Sequence, residues 1–153
     1  MKKLVVYFSA EKGNTAKLAE RMAKVSGADL FEIKPSVPYT VQDLNYLNPL
    51  SRVNKEKIGK KDVGISAFPV QFDEYDEVYI GFPIWYACAP NVVNSFCGAL
   101  DFAGKKVYVF ATSGGSGIGK TAEKLAPYVK GADIVKAAVF GKVDDAELEN
   151  WMK

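Results

Sequence analysis

Short apolar runs that alternate with amphipathic segments constrain this chain more than any other feature it has. Leu4 to Phe8 is continuously apolar, as a strand covered on both faces must be. Thr15 to Val25 then carries Leu18, Met22 and Val25 at helical spacing. Asp29 to Ile33 predicts a second strand. Glu77 to Phe82 predicts a third, with Val78, Tyr79 and Ile80 at its centre. Pro90 to Leu100 predicts a helix with Val92, Val93, Phe96 and Leu100 on one side, and Pro90 suits its first position. Lys106 to Ala111 predicts a fourth strand. Thr121 to Val129 predicts a helix, and Ile134 to Phe140 a fifth strand. Asp144 with Glu147 three residues on has the form of a capping box, opening a last helix that carries Leu148, Trp151 and Met152. Strands that alternate with helices dictate a parallel sheet with right-handed crossovers, an α/β fold.

One stretch breaks the alternation. Val37 to Phe72 should hold a crossover helix, but it contains Pro38, Asn45, Asn48, Pro49, Asn54 and Gly59. Only Ser51 to Ile58 has a helical pattern, and a weak one. A loop this long in a compact domain is either functional or poorly ordered. Its basic cluster, Arg52, Lys55, Lys57, Lys60 and Lys61, reads as a solvated face.

Composition removes whole classes of chemistry. The 153 residues suit one domain spanning 1–153. A 48% apolar and 25% charged mix excludes disorder and a disulfide scaffold. Twenty basic residues against eighteen acidic ones leave a net charge of +2, so no dedicated nucleic-acid partner is expected. The two cysteines, Cys88 and Cys97, have no metal-site spacing. Histidine is absent, which removes imidazole metal sites and every Ser-His or Cys-His arrangement. Chemistry in such a chain falls to a cofactor. No apolar run reaches the ~18 residues of a membrane span. The run after Met1-Lys2-Lys3 is too short for a signal peptide and lacks a small-residue cleavage site. A cytoplasmic protein is expected.

Ligands of open parallel sheets bind at the carboxyl ends of strands, which directs attention to three loops. The first is Ser9-Ala10-Glu11-Lys12-Gly13-Asn14-Thr15, leading into a helix. Hydroxyls, a glycine and free amides at a helix N-terminus suit a phosphate; an ordinary N-cap at Asn14 or Thr15 would leave the same trace. The second is Gly81-Phe82-Pro83-Ile84-Trp85-Tyr86-Ala87-Cys88-Ala89-Pro90. Its adjacent aromatics lie beyond the strand and suit stacking on a planar ligand, or packing onto the long insert. The third is Thr112-Ser113-Gly114-Gly115-Ser116-Gly117-Ile118-Gly119-Lys120-Thr121, whose glycines let backbone approach a ligand. Gly114 with Gly119-Lys120-Thr121 also matches a Walker A pattern. Its context does not: little chain follows, and the strand from Ile134 to Phe140 ends without an acidic residue for magnesium.

Taken together, Ser9 to Thr15, Gly81 to Pro90 and Thr112 to Gly119 resemble the three flavin-contacting loops of flavodoxins, in the right order and spacing. The likeness covers nearly the whole chain. It is strongest to short-chain bacterial flavodoxins with a Gly-x-Pro-Ile-Trp signature and a Ser-Gly-Gly-Ser-Gly run. Part of the insert, Tyr39 to Glu56, is similar to that group as well. The resemblance implies a three-layer α-β-α sandwich around a five-stranded parallel sheet in order 2-1-3-4-5, with FMN bound non-covalently. It implies that Ser9, Gly13, Asn14 and Thr15 hold the FMN phosphate, with Ala10 and Lys12 in the same loop. Pro83, Ile84, Trp85, Tyr86 and Ala87 would face the isoalloxazine edge, with Trp85 or Tyr86 stacked on the ring. Ser113, Gly114, Gly115, Ser116 and Gly117 would approach its pyrimidine side. Three features depart from the family pattern. The first loop is one residue longer, so either Ser9 or Ala10 takes the serine's place, and Lys12 replaces a threonine. Ala87 stands where glycine is frequent. The third loop has no aromatic.

The expected activity is electron transfer between redox proteins, a reductase or other donor and an acceptor enzyme, with no nucleic acid or membrane partner. The alternative within the fold is an FMN-dependent quinone or NAD(P)H oxidoreductase, for which the near-neutral charge speaks. A cofactor-free binding module is a third.

Overall fold

The computed structural model describes residues 2–9, 14–34, 65, 68–69, 71–83, 91–112, 121–140 and 143–152. Five strands form one sheet: β1 (Lys3–Tyr7), β2 (Asp29–Glu32), β3 (Glu77–Pro83), β4 (Lys106–Thr112) and β5 (Asp133–Val139). Their order is β2-β1-β3-β4-β5 and every pairing is parallel. The helices among the described residues are α1 (Asn14–Ser26), α2 (Asn91–Gly98), α3 (Thr121–Leu125) and α4 (Asp145–Trp151). This is the flavodoxin-like architecture expected from the loops.

Alternation along each strand divides the core in two. Leu4, Val6, Val78, Ile80, Phe82, Val107 and Val109 pack on Val92, Val93, Phe96 and Cys97 of α2 and on Leu125 of α3. Val5, Tyr7, Tyr79, Tyr108 and Phe110 pack on Leu18, Ala19 and Met22 of α1 and on Leu148 of α4. Helices on both faces explain why β1, β3 and β4 are apolar through their centres, after the charged first residues Lys3, Glu77 and Lys106. Arg21 ties α1 to the start of α4: its Nε donates to Asp145 Oδ1 at 2.9 Å and its Nη2 to the carbonyl of Val143. Asp144 is the N-cap, its Oδ1 accepting from the Glu147 amide at 2.8 Å, as the sequence pattern requires.

Two elements depart from expectation. The helix over Thr121 to Val129 is α-helical only to Leu125 and tightens into a 3-10 turn at Ala126–Tyr128. Pro127 is the cause, since it lacks the amide for the i−4 bond and its ring would crowd the carbonyl four residues back, that of Glu123. In β5, Val107 pairs with Ile134 but Tyr108 pairs with Lys136, so Val135 is bulged out of register and exposed. The extra residue reverses the facing of the strand. Ile134 and Ala137 pack on the α2 side and Phe140 on the α1 side. Lys136 is thereby aimed at α4, where Nζ donates to the Trp151 carbonyl at 3.0 Å.

The insert's weakly helical stretch and basic cluster lie outside the described residues. Its distal end docks on the sheet. Ile65 packs against the α2-side core, and Phe68 stacks on Phe96 with centroids 5.6 Å apart. Phe72 opens a 3-10 turn (Phe72–Glu74) that leads into β3. The buried Lys105 secures that turn, its Nζ donating to the carbonyls of Phe72 at 3.1 Å and Tyr75 at 2.6 Å. The buried ammonium is thus satisfied by backbone carbonyls and by the Phe72 ring, whose centroid lies 4.8 Å from Nζ.

On the α1 side, Tyr79 stacks on Tyr108 at 4.5 Å, and its phenol donates to the Met152 carbonyl at 3.0 Å. Burial foremost, and then the nearby Glu77 carboxylate, push its ionisation well above the ordinary 10.0. A folded-state pKa above the unfolded one stabilises the fold fully below the unfolded value. That contribution is lost as pH rises toward the folded value. Stability should therefore fall above about pH 10, and Tyr79→Phe should fall less steeply there. Denaturation midpoints measured across that range check it; parallel pH profiles for the two proteins would contradict it.

Candidate functional site

The strand order reverses between β1 and β3. From β1 the chain crosses through α1 to β2 on one side, and it returns through the insert to β3 on the other. Such a switch point leaves a crevice at the carboxyl ends of the two strands. Tyr7, Gly81 and Phe110 form one rung across β1, β3 and β4, and Pro83 pairs with Thr112 two residues further along. The Phe8 amide extends the ladder by donating to the Gly81 carbonyl at 2.9 Å. All three candidate loops therefore leave the sheet from adjacent strands at the same end.

Facing along the strands fixes what lies beneath this crevice. Tyr7 and Phe110 point to the α1 side, where Gly81 contributes no side chain. The Phe110 ring occupies that space. A Cβ on Gly81 would come within 2.1 Å of it, so no larger residue fits without displacement. Thr112 follows Phe110 by two residues on the same side, and its Oγ1 lies 2.7 Å from Oγ1 of Thr15. Thr15, in the first turn of α1, is only 2% exposed. The contact reaches past β3, so the start of α1 is anchored over the ends of the central strands.

The first turn of α1 carries no acidic residue. Its amides and the dipole of a 13-residue helix leave a positive end next to the buried Thr15 and part-buried Thr112 hydroxyls. Burial foremost, with smaller contributions from Glu32 and Glu20, raises the Tyr7 phenol above its ordinary value. Hydroxyl and amide donors suit an acceptor-only anion such as a phosphate. Among the described residues no cluster of His, Cys, Asp and Glu could hold a metal ion.

Of the residues singled out from sequence, Ser9, Asn14, Thr15 and Pro83 are described. Ser9 follows the end of β1 and is half-buried, Asn14 opens α1, and Pro83 closes β3. Ala10, Lys12, Gly13, Ile84, Trp85, Tyr86, Ala87, Ser113, Gly114, Gly115, Ser116 and Gly117 lie outside the described residues. Two residues gain significance only in three dimensions. In the sequence Thr112 only opens the third loop and Gly81 the second. A glycine inside an apolar strand is itself a signal of close approach.

The Walker A alternative finds no support in the sheet. After β4 the next strand is β5, at the edge, and no further strand follows it among the described residues.

Comparison with known proteins agrees with this arrangement. The family described as Flavodoxin matches residues 2–153, and the chain belongs to the flavodoxin family. It is similar to a candidate flavoprotein from Bacteroides eggerthii, with 37% identity over 99% of this chain and 95% of that one and a TM-score of 0.90. A second, from Bacteroides uniformis, is 36% identical over 99% of this chain and 97% of that one, with a TM-score of 0.91. A flavoprotein from Lactobacillus acidophilus, solved in complex with FMN, shares the fold at 23% identity over 99% of each chain, with a TM-score of 0.75. Among curated proteins the chain has no match. Family membership supports FMN as the cofactor. No described helix is long and apolar enough to cross a membrane.

Proposed function

We propose that this flavodoxin binds FMN at the carboxyl ends of β1, β3 and β4 and carries electrons between redox proteins. The observation that carries the reading is that β1, β3 and β4 end side by side at the switch point, where the hydroxyls of Thr15 in α1 and Thr112 at the end of β4 lie 2.7 Å apart. FMN supplies the electron-accepting and electron-donating chemistry when bound. The chain's own part is to bind, orient and shield. Thr15 and Asn14, with Ser9 and Gly13, hold the phosphate by charge-assisted bonds at the positive end of α1. Pro83 to Ala87 lines the isoalloxazine edge, and Trp85 or Tyr86 covers one face. Ser113 to Gly117 approaches the pyrimidine side with backbone donors. The partners are a donor such as a reductase and an acceptor enzyme.

Other proteins use one fold for enzyme and carrier alike, and a net charge of +2 leaves the oxidoreductase alternative in view. Purified protein should be yellow and release FMN, and it should bind FMN in preference to FAD, because the phosphate loop closes around a terminal phosphate. It should oxidise NADPH only when a reductase is added. Sustained oxidation of NADPH with a quinone and no reductase would replace the carrier reading with the enzyme. A colourless protein that ignores added FMN would overturn both.

A further inference from the structure

We infer that Thr112 is a positioning residue, whose hydroxyl donates to Thr15 Oγ1 and so turns the single Thr15 proton toward the cofactor phosphate. The inference rests on the proposed reading that Thr15 faces that phosphate. Its basis is the 2.7 Å contact between the two hydroxyls, formed between residues 97 apart in the chain. Thr15 is only 2% exposed and the contact is part-buried.

A hydroxyl has one proton and two acceptor lone pairs. In the isolated pair either oxygen can donate, so the direction of the bond is open. A phosphate dianion accepts only. If Thr15 gives its proton to the phosphate, its oxygen must accept from Thr112, and one of the two directions is selected. No atom other than the shared protons changes place. Thr112 is well suited to hold that direction. It ends β4, where its backbone is fixed in register opposite Pro83, and it shares the sheet face of the fully buried Phe110. Thr112 thereby links the start of α1 to the end of β4, and its effect should depend on the phosphate and on Thr15.

Fluorescence-quenching titrations of FMN and riboflavin into the apoprotein test this, using Thr112→Val, Thr112→Ala, Thr112→Ser and Thr15→Val. Thr112→Val and Thr112→Ala should each weaken FMN about five-fold, in keeping with loss of one supporting hydrogen bond, and leave riboflavin unchanged. Thr112→Ser should restore FMN binding, because it restores the hydroxyl. Adding Thr112→Val to Thr15→Val should weaken FMN no further. Equal losses for FMN and riboflavin, failure of serine to rescue, or additive losses in the double variant would each overturn the inference. If Thr15→Val discriminates between the ligands and Thr112→Val does not, only the positioning role fails. If Thr15→Val itself weakens both ligands equally, the phosphate reading fails and takes this inference with it.

Discussion

Phe110→Ala should destabilise the fold by about 3–5 kcal/mol, the range for emptying a buried aromatic position. The residue is fully buried, and its ring fills the space that Gly81 leaves open across the strand pair. The converse change, Gly81→Ala, should cost about 1–3 kcal/mol by overpacking, since the new methyl would meet the ring at 2.1 Å. The two sites are not independent. Combining Gly81→Ala with Phe110→Leu should cost measurably less than the sum of the single changes, because a smaller side chain yields room to the methyl. Denaturant midpoints with an unchanged slope measure all four proteins. Strict additivity would mean that the ring and the glycine do not share that space. The pair lies two residue pairs below Thr112 and Pro83, beneath the strand ends where the proposed crevice opens.

What the sequence made legible, and what it did not, follows from the range of each interaction. Apolar runs at Leu4, Val78 and Val107 and the stripe Leu18, Met22, Val25 are local patterns, and each became a strand or a helix in place. The Asp144 cap is local too and appears as read. The α3 helix stops early because Pro127 acts within one turn, a signal present in the chain but outweighed in the reading by apolar spacing. The β5 bulge could not be read from one strand. It exists only in the register against β4, and the apolar run from Ile134 to Phe140 fits either register. The candidate site divides in the same way. Its place at the sheet end followed from strand order, and its loops from their residue types. The Thr15–Thr112 bond did not, because a contact between residues 97 apart leaves no trace in local spacing. Nor did the Gly81–Phe110 fit, since the two residues meet only across paired strands.

Thr15→Val should weaken FMN binding at least about ten-fold while barely affecting riboflavin. Valine keeps the branched shape, so the buried position in the first turn of α1 stays filled. On the proposed reading it removes a hydroxyl that would donate to a doubly charged acceptor, and such bonds contribute about 1.5–3 kcal/mol. The loss should fall wholly on the phosphate. Riboflavin shares the isoalloxazine and ribityl groups of FMN, so a general loosening of the crevice would weaken both ligands alike. The ratio of the two dissociation constants therefore separates a phosphate contact from a packing defect, and thermal melts of the apoproteins show whether the fold is intact. The size of the change also tests where the helix charge acts. If the amides and dipole at the start of α1 carried the phosphate alone, the hydroxyl would be dispensable and Thr15→Val would bind FMN like the wild type. Wild-type affinity for both FMN and riboflavin would place the phosphate on the helix amides, and with it the role of the hydroxyl pair would be confined to anchoring α1 over the sheet.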